Sequence, residues 1–194
     1  TSLAGVTSSG LVRGSGLTTS GTAAAAAWGA TGWGTTQTTA ALAITANDFI
    51  TFTVANGAGS APLSLSAISA FTYRRSNSTG SPTTGLVQYS LDGTNFTDVT
   101  TVTYSATATT TLPTIDLSGV SALQNLAAST TVTFRIVNYN GNSNTATWYI
   151  ADGTVAGSDL AIAGGQLQRW TADGSGTNLG GAGAWNATSA VWST

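Results

Sequence analysis

Cysteine, histidine and methionine are absent from this sequence, and neither lysine nor glutamate occurs at any of its 194 positions. Without cysteine there are no disulfides, no thiolate metal sites and no thiol redox chemistry. Without histidine, cysteine or lysine, the familiar activated nucleophiles lose either their base or the nucleophile itself, and Schiff-base chemistry is excluded. Lysine-linked isopeptide cross-links are excluded too, so any assembly must be non-covalent. Charged residues make up only 6% of the chain and the formal net charge is -2. There is no basic patch to displace phosphate counterions, which argues against nucleic acids and anionic membrane surfaces as partners. No apolar run approaches the roughly 20 residues of a membrane-spanning helix, so no membrane span is expected.

Threonine, serine, alanine and glycine fill the space that ions leave, and 41% of the residues are apolar. That fraction supports a folded body covered by hydroxyls and amides. The segment Phe49 to Val54 alternates apolar and hydroxyl side chains, turning Ile50, Phe52 and Val54 to a core and Thr51 and Thr53 to water. Thr131 to Ile136 repeats the pattern, as does Thr145 to Ile150. Asn140 to Asn144 lies between these last two runs and tolerates positive φ, which predicts a hairpin. Further strands are expected at 70–75, 86–91, 99–104, 115–117 and 160–163, with Asp92-Gly93 marking a turn.

Helix signals are thin. Ala23 to Ala27 is too short to repay nucleation and is hemmed by glycine, so it reads as loop or extended chain. Val120 to Leu126 has room for one helical turn capped by Ser118. Many short strands with almost no helix predict an all-β antiparallel sandwich of jelly-roll type over residues 1–163. A Gly/Trp-rich strand tail follows over 164–194. About thirty residues without disulfide or metal cannot fold alone. The tail must therefore dock on the sandwich or on a neighbouring subunit, through Trp170, Trp185, Val191 and Trp192.

Seven aspartates and five arginines are the whole ionic inventory. A glycosidase pair needs two carboxyls held together with one pKa raised, and nothing in the spacing of these aspartates indicates one. Asp92 and Asp152 read as turn residues, Asp48 and Asp159 as strand-end residues. Calcium is the metal that hard oxygen ligands favour, and Asn47, Asp48, Asp152 and Asp159 are the candidates for a structural ion. No loop has EF-hand spacing, so the baseline expectation is no cofactor and no metal. Trp28, Trp33, Tyr139 and Trp170 are the aromatics that would stack on sugar rings if exposed, although small sandwiches more often use such residues in packing. Alternation sends one of Arg74 and Arg75 inward, where pairing with an aspartate is expected. Asn77, Asn95 and Asn186 stand in N-x-S/T sequons and are formal glycosylation acceptors.

Several spaced blocks carry a resemblance. They are Tyr73-Arg74-Arg75, Tyr89 to Gly93, Ile115 to Gly119, Leu123 to Leu126, Thr133 to Ile136 and Thr147 to Asp152, with a weaker match at Leu11 to Leu17. Together they resemble a family of secreted bacterial jelly-roll domains found in large surface proteins, PEP-CTERM-type exported proteins among them, that look like non-catalytic carbohydrate-binding modules. The tail, from Trp170 to Gly176 and from Gly180 to Thr194, is similar to the opening of an autotransporter-associated β-strand repeat. The resemblance implies a bacterial protein, extracellular or at the cell surface, whose signal peptide has already been removed. The leading expectation is a non-enzymatic structural protein whose partners are copies of itself, joined by β-strand addition into a filament or surface layer. The alternative is a glycan-binding or adhesion module.

Overall fold

The computed structural model describes residues 3–19, 27–76, 79–151 and 158–166, and the backbone of 169–170 and 192–193. In chain order the elements are β1 (Val6–Ser8), β2 (Val12–Arg13), β3 (Ala27–Ala30), helix α1 (Ala40–Ala46), β4 (Phe49–Asn56) and β5 (Leu63–Arg75). They continue with β6 (Thr84–Ser90), β7 (Thr97–Thr103), β8 (Thr110–Thr111), β9 (Ile115–Asp116), β10 (Thr131–Tyr139), β11 (Trp148–Ala151) and β12 (Leu160–Gln166). The short pair β13 (Arg169–Trp170) and β14 (Trp192–Ser193) completes the series.

Two antiparallel sheets pack as a sandwich, the all-β architecture that the alternating segments require. The first runs β1-β4-β10-β6-β7, with β2 beside β1 on the same flank of β4; the second runs β12-β5-β11-β3, with β8 and β9 on β5. The chain crosses between sheets at most connections, as jelly rolls do. Period-two patterning sets the register. Phe52 lies opposite Phe134 and Ile50 opposite Ile136. The two phenylalanine rings stack with centroids 5.2 Å apart. From the second sheet, Leu63, Leu65, Ile68 and Phe71 of β5 face them, all buried.

One end of the core is aromatic. Trp148 meets Trp33, Phe71 and Tyr104 at centroid separations of 5.8, 6.1 and 5.3 Å. Edge-to-face contacts of this kind add to the area they bury. The other end is aliphatic and holds two satisfied amides. Asn56 Nδ2 donates to the carbonyls of Ala61, Leu126 and Ala127. Gln124 Nε2 donates to those of Leu65, Leu117 and Val120.

The expected hairpin does not form. β10 is a central strand with β4 on one side and β6 on the other, so no flank is left for β11. The chain instead uses Asn140, at φ 59°, to leave the first sheet. β11 joins the second sheet between β3 and β5. All four of its residues are buried, which an alternating hairpin partner would not be.

Helix α1 is a second departure. Thr39 caps its N-terminus, the hydroxyl accepting from Leu42 N at 3.3 Å, and Asn47 ends it in the left-handed region at φ 61°. The expected turn near Val120 is a single 3-10 turn at Ser121–Leu123 with no side-chain cap. Ser118 does not cap it; its N–H is taken by Asp116 Oδ1 at 2.8 Å. Strand β12 runs through 164–166, so the change in composition near Gly164 falls inside the sandwich, at a register shift between Ala163 and Gly164.

Candidate functional site

The sheet edges are the sites most relevant to assembly. β3 ends the second sheet on one side, and the N-terminal segment covers it. Arg13 Nε donates to Gly29 O at 2.7 Å, while its guanidinium lies 4.1 Å from the centre of the Trp28 ring. One residue beyond β3, Thr31 exchanges backbone hydrogen bonds with Thr18 at 2.9 and 3.1 Å, and the two hydroxyls meet at 2.8 Å.

β12 lies on the same flank of β5 as β11, with β8 and β9 along the opposite flank, and among the described residues no strand pairs with its own outer flank. It has no charged residue. Two register irregularities bend it, between Ala161 and Ile162 and between Ala163 and Gly164. Gly164 lies flat against β5, where an added Cβ would stand 2.6 Å from Ser64 O; a Cβ on Gly165 would meet nothing within 4 Å. In the first sheet β7 is likewise paired on one flank only among the described residues. Its Asp98 is drawn into the sheet by Gln88 Nε2 at 2.6 Å.

Of the assembly candidates in the tail, the structure places Trp170 opposite Trp192 in the β13–β14 pair. Trp185 and Val191 lie outside the described residues.

The calcium candidates separate. Asn47 and Asp48 are adjacent at the α1–β4 junction, whereas Asp159 precedes β12 in the other sheet and its carbonyl accepts from Thr72 N at 2.7 Å. Asp152 lies outside the described residues. Among the described residues no three His, Cys, Asp or Glu side chains group closely enough to hold a metal ion. Asp48 is 2% exposed, and burial pushes its carboxyl up from the usual 3.8 to about 6.

Trp33, a candidate for sugar stacking, is fully buried and donates its indole N–H to Ala30 O at 2.9 Å. Core packing claims it because it fills the space beside Trp148. Trp28 is half-buried beneath Arg13, Tyr139 is half-buried at the end of β10, and Trp170 has no described side chain. Arg75 is the inward member of its pair. Its guanidinium donates to the carbonyls of Ala106, Ser81 and Ser105. Arg74 is exposed.

Asp92 builds the β6–β7 turn, accepting from Ser90 Oγ and from the backbone N–H of Thr94 and Asn95. These hydrogen bonds, with the one from Asn95 Nδ2, hold its carboxyl far below the ordinary range. Asn95 is exposed, and its amide donates to Asp92 Oδ2 at 2.7 Å. Asn77 and Asn186 lie outside the described residues. Beside this turn a shallow depression of about 260 Å³ is lined by Tyr89, Ser90, Asp92 and Asn95 among others.

Sequence reasoning missed the network on the outer face of the first sheet. Arg135 Nε donates to Gln88 Oε1 at 2.7 Å, and its guanidinium lies 3.7 Å from the centre of the Phe96 ring. Period-two alternation already turned Arg135 outward; only the strand order, β10 beside β6, could have supplied Gln88. Comparison with family models, curated proteins and solved structures finds no match for this chain.

Proposed function

We propose that this is a non-catalytic extracellular structural protein that associates with copies of itself by adding strands to open sheet edges, building a filament or surface layer. The observation behind this reading is β12: an edge strand without a charged residue and, among the described residues, without an outer partner. Proteins that stay monomeric guard such edges with lysine, proline or inward charges. Bulges serve the same end, and of all these devices the described part of β12 has only its two register irregularities.

The donor in this reading is the tail. A two-residue pair such as β13–β14 is marginal alone in water and gains from joining a larger sheet. Addition of one copy's tail to the next copy's edge does not close on itself, and a non-closing contact grows a filament. Low surface charge leaves little repulsion between copies. The extracellular bacterial setting rests on the resemblance described above and on the ion-poor, hydroxyl-rich composition. The non-catalytic reading is supported by the absence of histidine, cysteine, lysine and glutamate and by the engagement of Asp92, Asp98 and Asp116 in local hydrogen bonds. Glycan binding has less support, since Trp33 is in the core and Trp28 is covered by Arg13.

Electron microscopy and light scattering of the purified full chain test the proposal. Filaments or sheets that grow with concentration are expected. Dispersed monomers at high concentration would refute it.

A further inference from the structure

At the end of the core where α1 meets β4, three buried polar atoms have no hydrogen-bond partner among the described residues: Asp48 Oδ2, Asn138 Nδ2 and Trp148 Nε1. Their placement follows from the register. Phe49 pairs with Val137, so one step further Asp48 and Asn138 come opposite each other at the mouth of β4 and β10. The alternation that turns Ile50 and Ile136 inward turns these two inward as well. From the opposite sheet Trp148 reaches the same end. Its ring lies 5.3 Å from that of Tyr104, and the Tyr104 hydroxyl donates to Asn138 Oδ1 at 2.8 Å. Asn138 and Trp148 are fully buried and Asp48 is 2% exposed. The loop holding Gly16 closes over the carboxyl, for a Cβ on Gly16 would stand 2.3 Å from Asp48 Oδ1.

The chemistry of the three atoms restricts what can satisfy them. Two are N–H donors, which repel a cation, and one belongs to a carboxyl, which when ionised repels an anion. The charge nearest in register is Arg75, opposite Trp148 in the β5–β11 pair, and its guanidinium donates to the carbonyls of Ala106, Ser81 and Ser105. Helix α1 has no ionisable residue, Arg13 on β2 is turned to Gly29 and Trp28, and Tyr104 is engaged with Asn138. A fitting occupant is small and neutral, accepts two hydrogen bonds and donates at least one. Water meets all of these conditions.

We propose that Asp48, Asn138 and Trp148 form a sealed site for an internal water molecule, which accepts from the amide and the indole and donates to the carboxyl. The water is then a fixed part of the core, joining the two sheets at their aromatic end.

Water-to-protein cross-relaxation at the Trp148 indole proton, measured by NMR on the full chain, is the test. A cross-peak with the sign of a long-lived bound water is expected in the wild type and in Asp48→Asn, which keeps an acceptor, and its loss is expected in Asp48→Leu. No cross-peak in the wild type, or one that survives in Asp48→Leu, overturns the proposal. Should Asp48→Leu fail to fold, a high-resolution crystal structure of the wild type decides. Density for a water within hydrogen-bond distance of all three atoms supports the site; a dry site or a direct Asp48 to Asn138 bond refutes it.

Discussion

β3 and β12 are both outer strands of one sheet, reached from the same flank of β5, and are treated in opposite ways. β3 is covered by the chain itself: Arg13 holds the Gly29 carbonyl, and Thr18 pairs with Thr31. β12 is left with bends and glycines, and among the described residues nothing pairs with its outer flank. A chain without lysine and with only five arginines has few charges with which to guard edges. Where a neighbouring segment can lie across an edge, one arginine suffices to fasten it. Where none does among the described residues, the backbone groups stay available, and availability is what strand addition requires.

The largest expected effect lies away from both edges and checks that association does not simply follow stability. The Asp48 carboxyl titrates near 6 when folded against an ordinary 3.8, so the folded form holds the proton more tightly. Its contribution is most favourable below 3.8, declines as pH rises towards 6, and is constant above. Integrated over that window the decline is about 3 kcal/mol. Asp48→Asn should remove it, giving a variant more stable than the wild type at neutral pH by up to about 3 kcal/mol in urea unfolding, with association unchanged. A change in association would break the contrast between edges and core.

Next is Gly164→Val, which drives a side chain against the Ser64 carbonyl. It should cost about 2 kcal/mol in the same urea assay and weaken association with it, since it loosens β12 from β5. Undiminished stability would mean that β12 does not lie against β5 as described. Arg13→Ala uncovers β3 and should cost about 1 kcal/mol through its lost hydrogen bond and ring contact. Light scattering should then show stronger association, because the β3 edge has been opened as well. The smallest effect on stability belongs to Gly165→Lys, where the added side chain meets open space. It should stay within about 0.5 kcal/mol of the wild type, yet lose association as the charge guards β12.

Much of this fold could be read from residue order. The alternation at Phe49 to Val54 and Thr131 to Ile136 is repeated in the register of β4 and β10, because one buried face admits only one pairing. Asp92-Gly93 turns β6 into β7 as expected. What failed depends on neighbours far away in sequence. Asn140 to Asn144 has hairpin chemistry, but a local signal cannot report that both flanks of β10 are already taken. Trp33 cannot be told from an exposed stacking residue until Trp148 is placed beside it. Helix α1 was within reach, since Thr39 and Asn47 bracket an alanine-rich run with capping residues at both ends. Of the candidate sites, Asp48 is one of four candidate calcium ligands in the sequence; its burial, and the two donors left unpaired at the same end of the core, depend on the packing of the sheets.

Hydrogen exchange followed against protein concentration addresses strand addition at β12 most directly. The amides of Leu160–Gln166 should gain protection as the protein associates, while those of Trp28 to Ala30, already covered, stay as they are. Association with no added protection along β12, or protection appearing first at β3, would contradict the assignment of β12 as the receiving edge.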